Sequence, residues 1–212
     1  MELTTVLFDL GGVILTLDQS QAIERFKALG VEDAEKRLDP YEQSGIFGDL
    51  EEGKITAEDF RRELSKIIGR EATISECEYA WQGYAKELPQ RNLDALQRLR
   101  QEGYRVALLS NTNPFMMAWA ESEKFDGKGH PLSYYFDACY LSYKMKMMKP
   151  SEMVFREVLR REKTFASNVL FVDDGPRNVM VASQLGMRTL CPKNGEDWTE
   201  IIFDLLNNKE EI

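Results

Sequence analysis

The alternation of two sequence patterns after residue 92 constrains the fold of this chain most strongly. From Asn92 onward, short β-rich runs such as YRVALLS and NVLFVD alternate with helical patterns such as NLDALQRLRQEG and SEMVFREVLRRE. Strand patterns that are separated by helices of about 10–15 residues predict βαβ units and a parallel sheet. A further strand pattern, VLF, stands at residues 6–8. We therefore expect an α/β fold with a parallel sheet and helices on both faces.

The segment between the first strand pattern and Asn92 is different, because it is rich in helix signals and poor in strand signals. SQAIERFKALG has a Ser start, helical apolar spacing and a Gly stop. Thr56 with Asp59, and Ser75 with Glu78, each resemble a capping box that begins a helix. These patterns predict an inserted all-helical subdomain at residues 19–88, with residues 1–18 and 89–212 forming the α/β core domain.

Composition narrows the classes of partner and location. The 212 residues suffice for one domain with an insertion, and 43% are hydrophobic. The formal net charge of −9 argues against nucleic acid and anionic membranes as partners, since both favour basic surfaces. Cys77, Cys139 and Cys191 are widely spaced and odd in number, which predicts neither a disulfide framework nor a metal site. With no signal-peptide or membrane-span pattern, we expect a cytoplasmic protein.

Polar side chains follow three of the strand patterns at the point where each strand ends. Asp9 follows VLF, Ser110 and Asn111 follow VALL, and Asp173 and Asp174 follow LFV. Each of these three groups has a local explanation as an alternative, because Asp, Asn and Ser also stabilise turns and cap helices. Parallel strands share one carboxyl edge, however, and ligands bind at that edge in open α/β sheets. The sequence therefore predicts a site at which these side chains meet.

The chemistry that needs this set of side chains is phosphoryl transfer through an enzyme carboxylate. A carboxylate can attack phosphorus when it is positioned and ionised. A divalent cation such as Mg²⁺, held by further carboxylates, offsets the repulsion between the nucleophile and a phosphate dianion. Lys149, in the segment MMKP just ahead of a predicted helix, supplies another positive charge. Hydroxyl and backbone N–H groups can donate to the phosphoryl oxygens.

Four segments, taken in order, resemble the motifs of the haloacid dehalogenase superfamily of hydrolases. They are VLFDLGGVI, VALLSNTN, MMKP and VLFVDDGPRN. The resemblance extends over nearly the whole chain and implies a Rossmann-like core, with the helical insertion serving as a cap subdomain. The FDLGGV opening is most similar to the members that include sugar-phosphate phosphatases and the N-terminal phosphatase-like domain of epoxide hydrolases.

The resemblance also implies the metal site and the nucleophile. Asp9 would be the nucleophile and would form an aspartyl-phosphate. Asp9 and Asp174 would hold Mg²⁺ together with the backbone carbonyl of Gly11.

The remaining motif residues would act on the phosphoryl group. Ser110 and the amide of Asn111 would bind it, and Lys149 would pair with Asp9 and the phosphate. Asp173 would orient Lys149 or a water on the metal.

Two positions depart from the family pattern. Most phosphatases of the superfamily carry a second Asp two residues after the nucleophile, where it acts as general acid and base, but this chain has Gly11. General acid–base assistance is worth about 10²–10⁴ in rate, so its loss is significant. Asn178 stands where many members have another acid, and it could hydrogen-bond a water on the metal.

Three functions are compatible with these residues. The favoured one is a Mg²⁺-dependent phosphatase that hydrolyses a small phosphate monoester, with a sugar phosphate preferred. One alternative is a non-catalytic phosphate-binding protein disabled at Gly11, and another is a dehalogenase-type hydrolase, against which the Asp173–Asp174 pair counts. The expected partner is a small phosphorylated metabolite, and the sequence does not specify an oligomeric state. The cap would read the leaving group, and we expect Phe47 or a neighbouring residue of the segment SGIFGDLEEGKI, interpreted as a loop, to shape that pocket.

Overall fold

A five-stranded parallel sheet forms the centre of the computed structural model, which describes residues 2–38 and 44–207. The strands of the chain are β1 (Thr5–Phe8), β2 (Thr16–Leu17), β3 (Ala85–Glu87), β4 (Arg105–Ser110), β5 (Ala138–Leu141), β6 (Val169–Val172) and β7 (Arg188–Leu190). The order in the sheet is β5-β4-β1-β6-β7, so the N-terminal strand lies in the middle. The central strands are buried on both faces, as parallel sheets require.

Helices cover both faces of this sheet. The helices are α1 (Gln19–Leu29), α2 (Ala34–Arg37), α3 (Ile46–Glu51), α4 (Ala57–Ile68), α5 (Ile74–Trp81), α6 (Gln90–Gln101), α7 (Pro114–Ala120), α8 (Ser142–Met145), α9 (Glu152–Glu162), α10 (Pro176–Gln184) and α11 (Thr199–Asn207). Phe8 and Leu108 point to the face that is packed by α6 and α11. Leu7 and Ala107, one residue earlier on the same strands, point to the face packed by α9 and α10. The predicted α/β fold with helices on both faces is confirmed.

The helices between β2 and β3 form a separate hydrophobic cluster. Most of its described members come from α1 to α5 and from the turns that join them, and Phe115 and Met116 of α7 also belong to it. Its largest side chains include Phe26, Phe47, Phe60 and Trp81. The ring centroid of Phe47 lies 5.1 Å from that of Phe26 and 5.2 Å from that of Phe60. This cluster supports the proposal that residues 19–88 are a cap subdomain. We refer to α1 to α5 as the cap.

The segment SGIFGDLEEGKI is not a loop, contrary to expectation, because Ile46–Glu51 is the helix α3. Phe47 is fully buried within the aromatic cluster of the cap. Of the three glycines that suggested a loop, Gly45 is the N-cap of α3, Gly48 lies within the helix and Gly53 follows its C-cap. Phe47 therefore contributes to packing between cap helices, and the expectation that Phe47 itself lines a substrate pocket is wrong. That a neighbouring residue of this segment does so stays a prediction.

The helix starts in the cap follow local capping chemistry, with one correction. Thr56 and Asp59 form the expected capping box at α4, in which the hydroxyl accepts from the Asp59 N–H and the carboxylate accepts from the Thr56 N–H. The predicted box at Ser75 and Glu78 is wrong, because the helix α5 begins two residues earlier. Thr73 and Glu76 make that box instead. Both registers contain a hydroxyl residue followed three positions later by an acid, so the pattern alone did not distinguish them.

A two-stranded flap joins the cap to the core. Strand β2 pairs antiparallel with β3, and Leu17 lies opposite Ala85. The flap therefore brings the chain that leaves the first motif beside the chain that leaves the cap. Within the part of the chain that the structure describes, no helix has the length and apolar character to cross a membrane.

Candidate active site

The sheet order brings the three predicted strand ends together. β4 and β6 are the two neighbours of β1, and Phe8 at the end of β1 is in register with Leu108 and Val172. Asp9, Ser110 and Asp173 therefore emerge at one edge of the sheet, because all three strands run parallel. The sequence predicted this edge correctly because the strand patterns that precede these residues are regular and apolar.

Lys149 reaches the same edge from the loop before α9 and contacts two of the acids. Its Nζ lies 2.9 Å from Asp9 Oδ1 and 2.5 Å from Asp173 Oδ2. The side chains of Lys149 and Asp173 are 1% and 0% exposed, whereas that of Asp9 is 14% exposed. Among these three side chains, Asp9 is thus the most exposed and the one that a substrate can reach.

Burial dominates the electrostatics of this cluster. It raises the pKa of Asp9 to about 7, although Lys149 opposes the shift, and Asp173 and Asp174 add to it. Burial and the charge of Asp173 likewise raise the pKa of Asp174 to about 6. For Lys149, burial alone would lower the pKa, but Asp173 and Asp9 outweigh it and raise the value. The protein thus holds more negative charge here than one ammonium group can balance.

The geometry fits a divalent cation. Asp9, Asp173 and Asp174 each offer a carboxylate oxygen, and these oxygens lie within 4.8 Å of one another. Carboxylate oxygens in a set with excess negative charge are the ligands that Mg²⁺ prefers. Gly12 has φ +75, and a Cβ atom there would lie 2.0 Å from Asp174 Oδ2. The backbone therefore passes directly against the Asp174 carboxylate, which only glycine permits.

Protein donors already occupy the Asp173 carboxylate. Besides Lys149, the backbone N–H of Gly175 donates to Oδ1 at 2.7 Å, and Asn178 Nδ2 donates at 2.9 and 3.1 Å. Asp9 and Asp174 are therefore better placed to hold a metal, in line with the roles inferred for them. Asn178 orients Asp173, because its amide nitrogen donates to both carboxylate oxygens. Its expected hydrogen bond to a water on the metal stays a prediction.

The loop after β4 is tied to the lysine loop by paired hydrogen bonds. Asn111 Nδ2 donates to the Lys149 carbonyl, and the Lys149 N–H donates to Asn111 Oδ1, both at 2.9 Å. The Ser110 hydroxyl contacts the Asn111 carbonyl at 3.4 Å, which is long for an O–H donor. The Ser110 hydroxyl thus makes a weak contact here, whereas the Asn111 side chain holds Lys149 in position. The phosphoryl-binding roles of both residues remain predictions.

Gly11, two residues after Asp9, faces an apolar side chain of the flap. A Cβ atom at this position would lie 2.7 Å from Leu17 Cδ1. Leu17 therefore occupies the space in which the second Asp of the family that this sequence resembles would begin. The absence of an acid at position 11 and the presence of Leu17 in the flap are thus spatially linked.

Several residues that hold the nucleophile loop were missed by sequence reasoning. Asn92 Nδ2, on α6, donates to the carbonyls of Val13 and Ile14 at 3.0 and 3.1 Å, and Trp198 Nε1 donates to Val13 at 2.9 Å. The Asn194 side chain binds the backbone of β2 at Leu17, because its Oδ1 accepts from the Leu17 N–H and its Nδ2 donates to the Leu17 carbonyl. The only signal for Asn92 was a polar residue at a buried position of an amphipathic helix.

Comparison with known proteins identifies relatives over most of the chain. A sequence model of the haloacid dehalogenase-like hydrolase family matches residues 3–186. A D-ribitol-5-phosphate phosphatase of Bacteroides thetaiotaomicron is 44% identical over 203 residues, which cover 96% of this chain and 98% of the relative.

Solved structures of the haloacid dehalogenase (HAD) family are also similar to this chain. A HAD-like family hydrolase from Porphyromonas gingivalis has a TM-score of 0.93 at 41% identity, covering 99% of this chain and 100% of the other. A HAD family enzyme from Bacteroides thetaiotaomicron, solved in complex with magnesium and inorganic phosphate, has a TM-score of 0.86 at 36% identity. That match covers 94% of this chain and 98% of the other.

Proposed function

Because the chain belongs to the haloacid dehalogenase-like hydrolase family, we propose that it removes the phosphate group from a sugar-alcohol phosphate such as D-ribitol 5-phosphate. The reaction class is phosphoric monoester hydrolysis, and it depends on Mg²⁺. The observation that carries the proposal is the meeting of Asp9, Lys149 and the Asp173–Asp174 pair at the carboxyl edge of the sheet.

The Asp9 carboxylate supplies the nucleophile of this reaction. Its Oδ1 atom contacts Lys149 Nζ and also accepts from the Leu10 N–H at 2.7 Å. Oδ2 is therefore the oxygen that attacks phosphorus. The bond from phosphorus to the ester oxygen breaks, and the leaving alkoxide takes a proton from water. A second water then attacks phosphorus in the aspartyl-phosphate and gives up a proton to solvent, so that the bond from phosphorus to Asp9 breaks, inorganic phosphate is released and the Asp9 carboxylate is restored.

Lys149 and the metal stabilise the charge that surrounds this transfer. Lys149 is held by Asp173 and by the backbone pairing with Asn111, so its ammonium group stays beside the attacking carboxylate. Ser110 donates its hydroxyl to a phosphoryl oxygen. When bound at Asp9 and Asp174, Mg²⁺ offsets the repulsion between the nucleophile and the phosphate dianion.

The substrate class follows from the similarity to the Bacteroides thetaiotaomicron phosphatase. The 44% identity extends over almost the full length of both chains, so the similarity includes the proposed cap as well as the core. The proposed substrate is anionic, and the clustered carboxylates of the site accept it only with the help of Lys149 and a cation. The formal net charge of −9 supports a small metabolite over a polyanion as the partner.

Phosphate release from D-ribitol 5-phosphate tests the proposal directly. The panel adds D-ribose 5-phosphate, another pentitol phosphate and p-nitrophenyl phosphate, each with Mg²⁺ and with EDTA. We expect the highest kcat/KM for the pentitol phosphates and loss of turnover in EDTA. Asp9→Asn should fall below about 10⁻³ of the native kcat, since an amide cannot form the acyl phosphate.

The alternatives give different results in the same assay. Equal activity of Asp9→Asn would contradict the nucleophile. A folded protein that binds Mg²⁺ and phosphate but hydrolyses no ester would favour the binding protein. Best activity on an ester outside the sugar class would overturn the substrate while leaving the reaction class intact.

A cytoplasmic location is part of this proposal. It is supported by Cys77, Cys139 and Cys191, which are all free thiols, as a reducing compartment allows. Cell fractionation followed by detection of the protein tests it.

A further inference from the structure

The cap meets the core at the start of α7, next to the loop of residues 110–113. We call this loop the phosphoryl-binding loop, after the role proposed for Ser110. Phe115 and Met116, in the first turn of this core helix, belong to the hydrophobic cluster of the cap. The ring centroid of Phe115 lies 5.5 Å from that of Phe60 on α4. The apolar joint between cap and core is therefore only a few residues away from Ser110 and Asn111.

Each residue that follows Ser110 is attached to a different part of the molecule. The side chain of Asn111 pairs with the backbone of Lys149. The backbone of Thr112 exchanges hydrogen bonds with the Ser142 hydroxyl at 2.9 and 3.0 Å. The third residue, Asn113, reaches the cap. The loop that binds the phosphoryl group is thus the place where these parts are aligned.

The contact of Asn113 with the cap is oriented by the helix it caps. Asn113 is fully buried, and its Oδ1 accepts from the N–H groups of Phe115 and Met116, both at 3.1 Å. Its amide nitrogen must then point away from α7. It faces Glu51 Oε1 at 3.5 Å, at the outer limit of a hydrogen bond.

Glu51 is an acid in an unfavourable place. It is the last residue of α3 and is 8% exposed. A carboxylate at a helix C terminus opposes the helix dipole. The next part of the cap chain is also in close contact with the core, because a Cβ atom at Gly53 would lie 2.2 Å from the carbonyl oxygen of Tyr143.

We propose that Glu51 is a positioning residue, which acts through Asn113 to set the cap on the phosphoryl-binding loop. The inference rests on the proposed function, because it assigns to Glu51 the alignment of the leaving group of a sugar-alcohol phosphate. Contacts with the cap orient the sugar alcohol, while the loop orients the phosphoryl group. Misplacement of about 1 Å between two such parts can cost about 10²-fold in rate.

The test exchanges the donor and the acceptor between Asn113 and Glu51. In Asn113→Asp, a carboxylate still accepts from the first turn of α7, because Asp is a good N-cap residue. It places a second carboxylate oxygen against Glu51, however. In the double variant Asn113→Asp with Glu51→Gln, the amide of Gln donates to Asp, so the contact is restored with donor and acceptor exchanged. Glu52→Gln is the matched control, since Glu52 pairs with exposed Lys54 at 2.6 Å.

The measured quantity is the ratio of kcat/KM for D-ribitol 5-phosphate to kcat/KM for p-nitrophenyl phosphate, whose aryl group makes no sugar contacts. We expect Asn113→Asp to lower this ratio about 10- to 100-fold, the double variant to recover most of the loss, and Glu52→Gln to leave it unchanged. Thermal unfolding of each variant is measured in parallel.

Two outcomes would overturn the inference. The first is an unchanged ratio in Asn113→Asp, whatever its melting temperature, because a structural contact alone would lower stability and not selectivity. The second is a lowered ratio that the double variant does not recover. If the native protein hydrolyses p-nitrophenyl phosphate but not D-ribitol 5-phosphate, the proposed substrate fails instead, and the ratio is then measured with the best ester of the panel.

Discussion

At the scale of single residues, glycine decides where the acids of the site can stand. Gly12 has a positive φ and passes against the Asp174 carboxylate. An L-residue at such a φ costs about 1–2 kcal/mol in backbone strain alone. A side chain there would also displace the carboxylate. The position of Asp174 therefore depends on a residue that has no side chain of its own.

Gly12→Ala should weaken Mg²⁺ binding at least about 10-fold, because the new Cβ would lie 2.0 Å from Asp174 Oδ2. The measurements are the Mg²⁺ dependence of p-nitrophenyl phosphate hydrolysis and calorimetric titration with Mg²⁺. Gly103→Ala is the control, since Gly103 has φ +91 with nothing within 4 Å of the added Cβ. It carries comparable strain without the contact. Equal Mg²⁺ affinity in both variants would contradict the prediction.

At the scale of elements, the flap explains why the usual second acid is absent. Strand β2 places Leu17 over Gly11, and β2 is in turn held by β3 on one side and by Asn194 on the other. An acid at position 11 would therefore require the Leu17 side chain to move. The two positions are six residues apart in sequence, and only their pairing in the fold relates them.

Gly11→Asp alone should reduce turnover, because its Cβ would lie 2.7 Å from Leu17 Cδ1 and the Leu17 side chain would have to move to admit the acid. Gly11→Asp with Leu17→Ala makes room for the acid. We expect this double variant to exceed Gly11→Asp at least about 10-fold in kcat, within the range of general acid–base assistance. Leu17→Ala alone is the control and should not exceed the native rate. Equal rates for Gly11→Asp and the double variant would contradict the explanation.

The start of α5 provides a test of local capping. Thr73→Ala removes the hydroxyl that accepts from the Glu76 N–H, and it should lower the free energy of unfolding by about 1 kcal/mol. Ser75→Ala, at an exposed position inside the helix, should change it by less than about 0.5 kcal/mol. Urea unfolding of both variants measures the difference. A larger loss in Ser75→Ala would reverse the assignment of the helix start.

At the scale of the whole molecule, an acid distant in sequence from the active-site motifs makes stability depend on pH. The Asp126 side chain is 0% exposed and accepts from Tyr135 Oη at 2.7 Å and from the Lys128 and His130 N–H groups. Its Oδ2 also lies 2.7 Å from His130 Nδ1. His130, the one histidine of the chain, thus helps to organise a loop of the core domain.

Burial alone would raise the pKa of Asp126, but the hydrogen bonds from Tyr135, His130 and Lys128 outweigh it and hold the value well below the usual range. The unfolded state, with a pKa of about 3.9, then binds the proton more tightly than the folded state. The contribution to stability is therefore present above about pH 4 and is lost as the pH falls below it.

Asp126→Asn should remove this pH dependence. We expect the free energy of unfolding of the native protein to fall more steeply between about pH 4 and pH 2.5 than that of the variant, whose neutral amide does not titrate. At neutral pH the variant should be the less stable of the two. Urea unfolding across this range measures both slopes, and parallel slopes would contradict the assignment.

The sequence by itself determined the sheet, its acidic edge and the motif residues that meet there. Those features depend on local patterns: apolar runs form buried strands, the residue after a strand lies at its end, and parallel strands share an edge. These patterns alone suffice to place Asp9, Ser110 and Asp173 together. The helical nature of the segment between β2 and β3 was equally readable from its caps and periodicity.

Only the tertiary structure decided how distant segments close on this edge. The contact of Glu51 with Asn113, the two hydrogen bonds of Asn194 with Leu17, and the burial of Phe47 join residues whose sequence neighbours carry no sign of each other. The true start of α5 was equally hidden, since two registers offered the same capping chemistry. Local patterns specify which elements form, whereas the partner of a buried polar side chain is set by the packing of elements far apart in the chain.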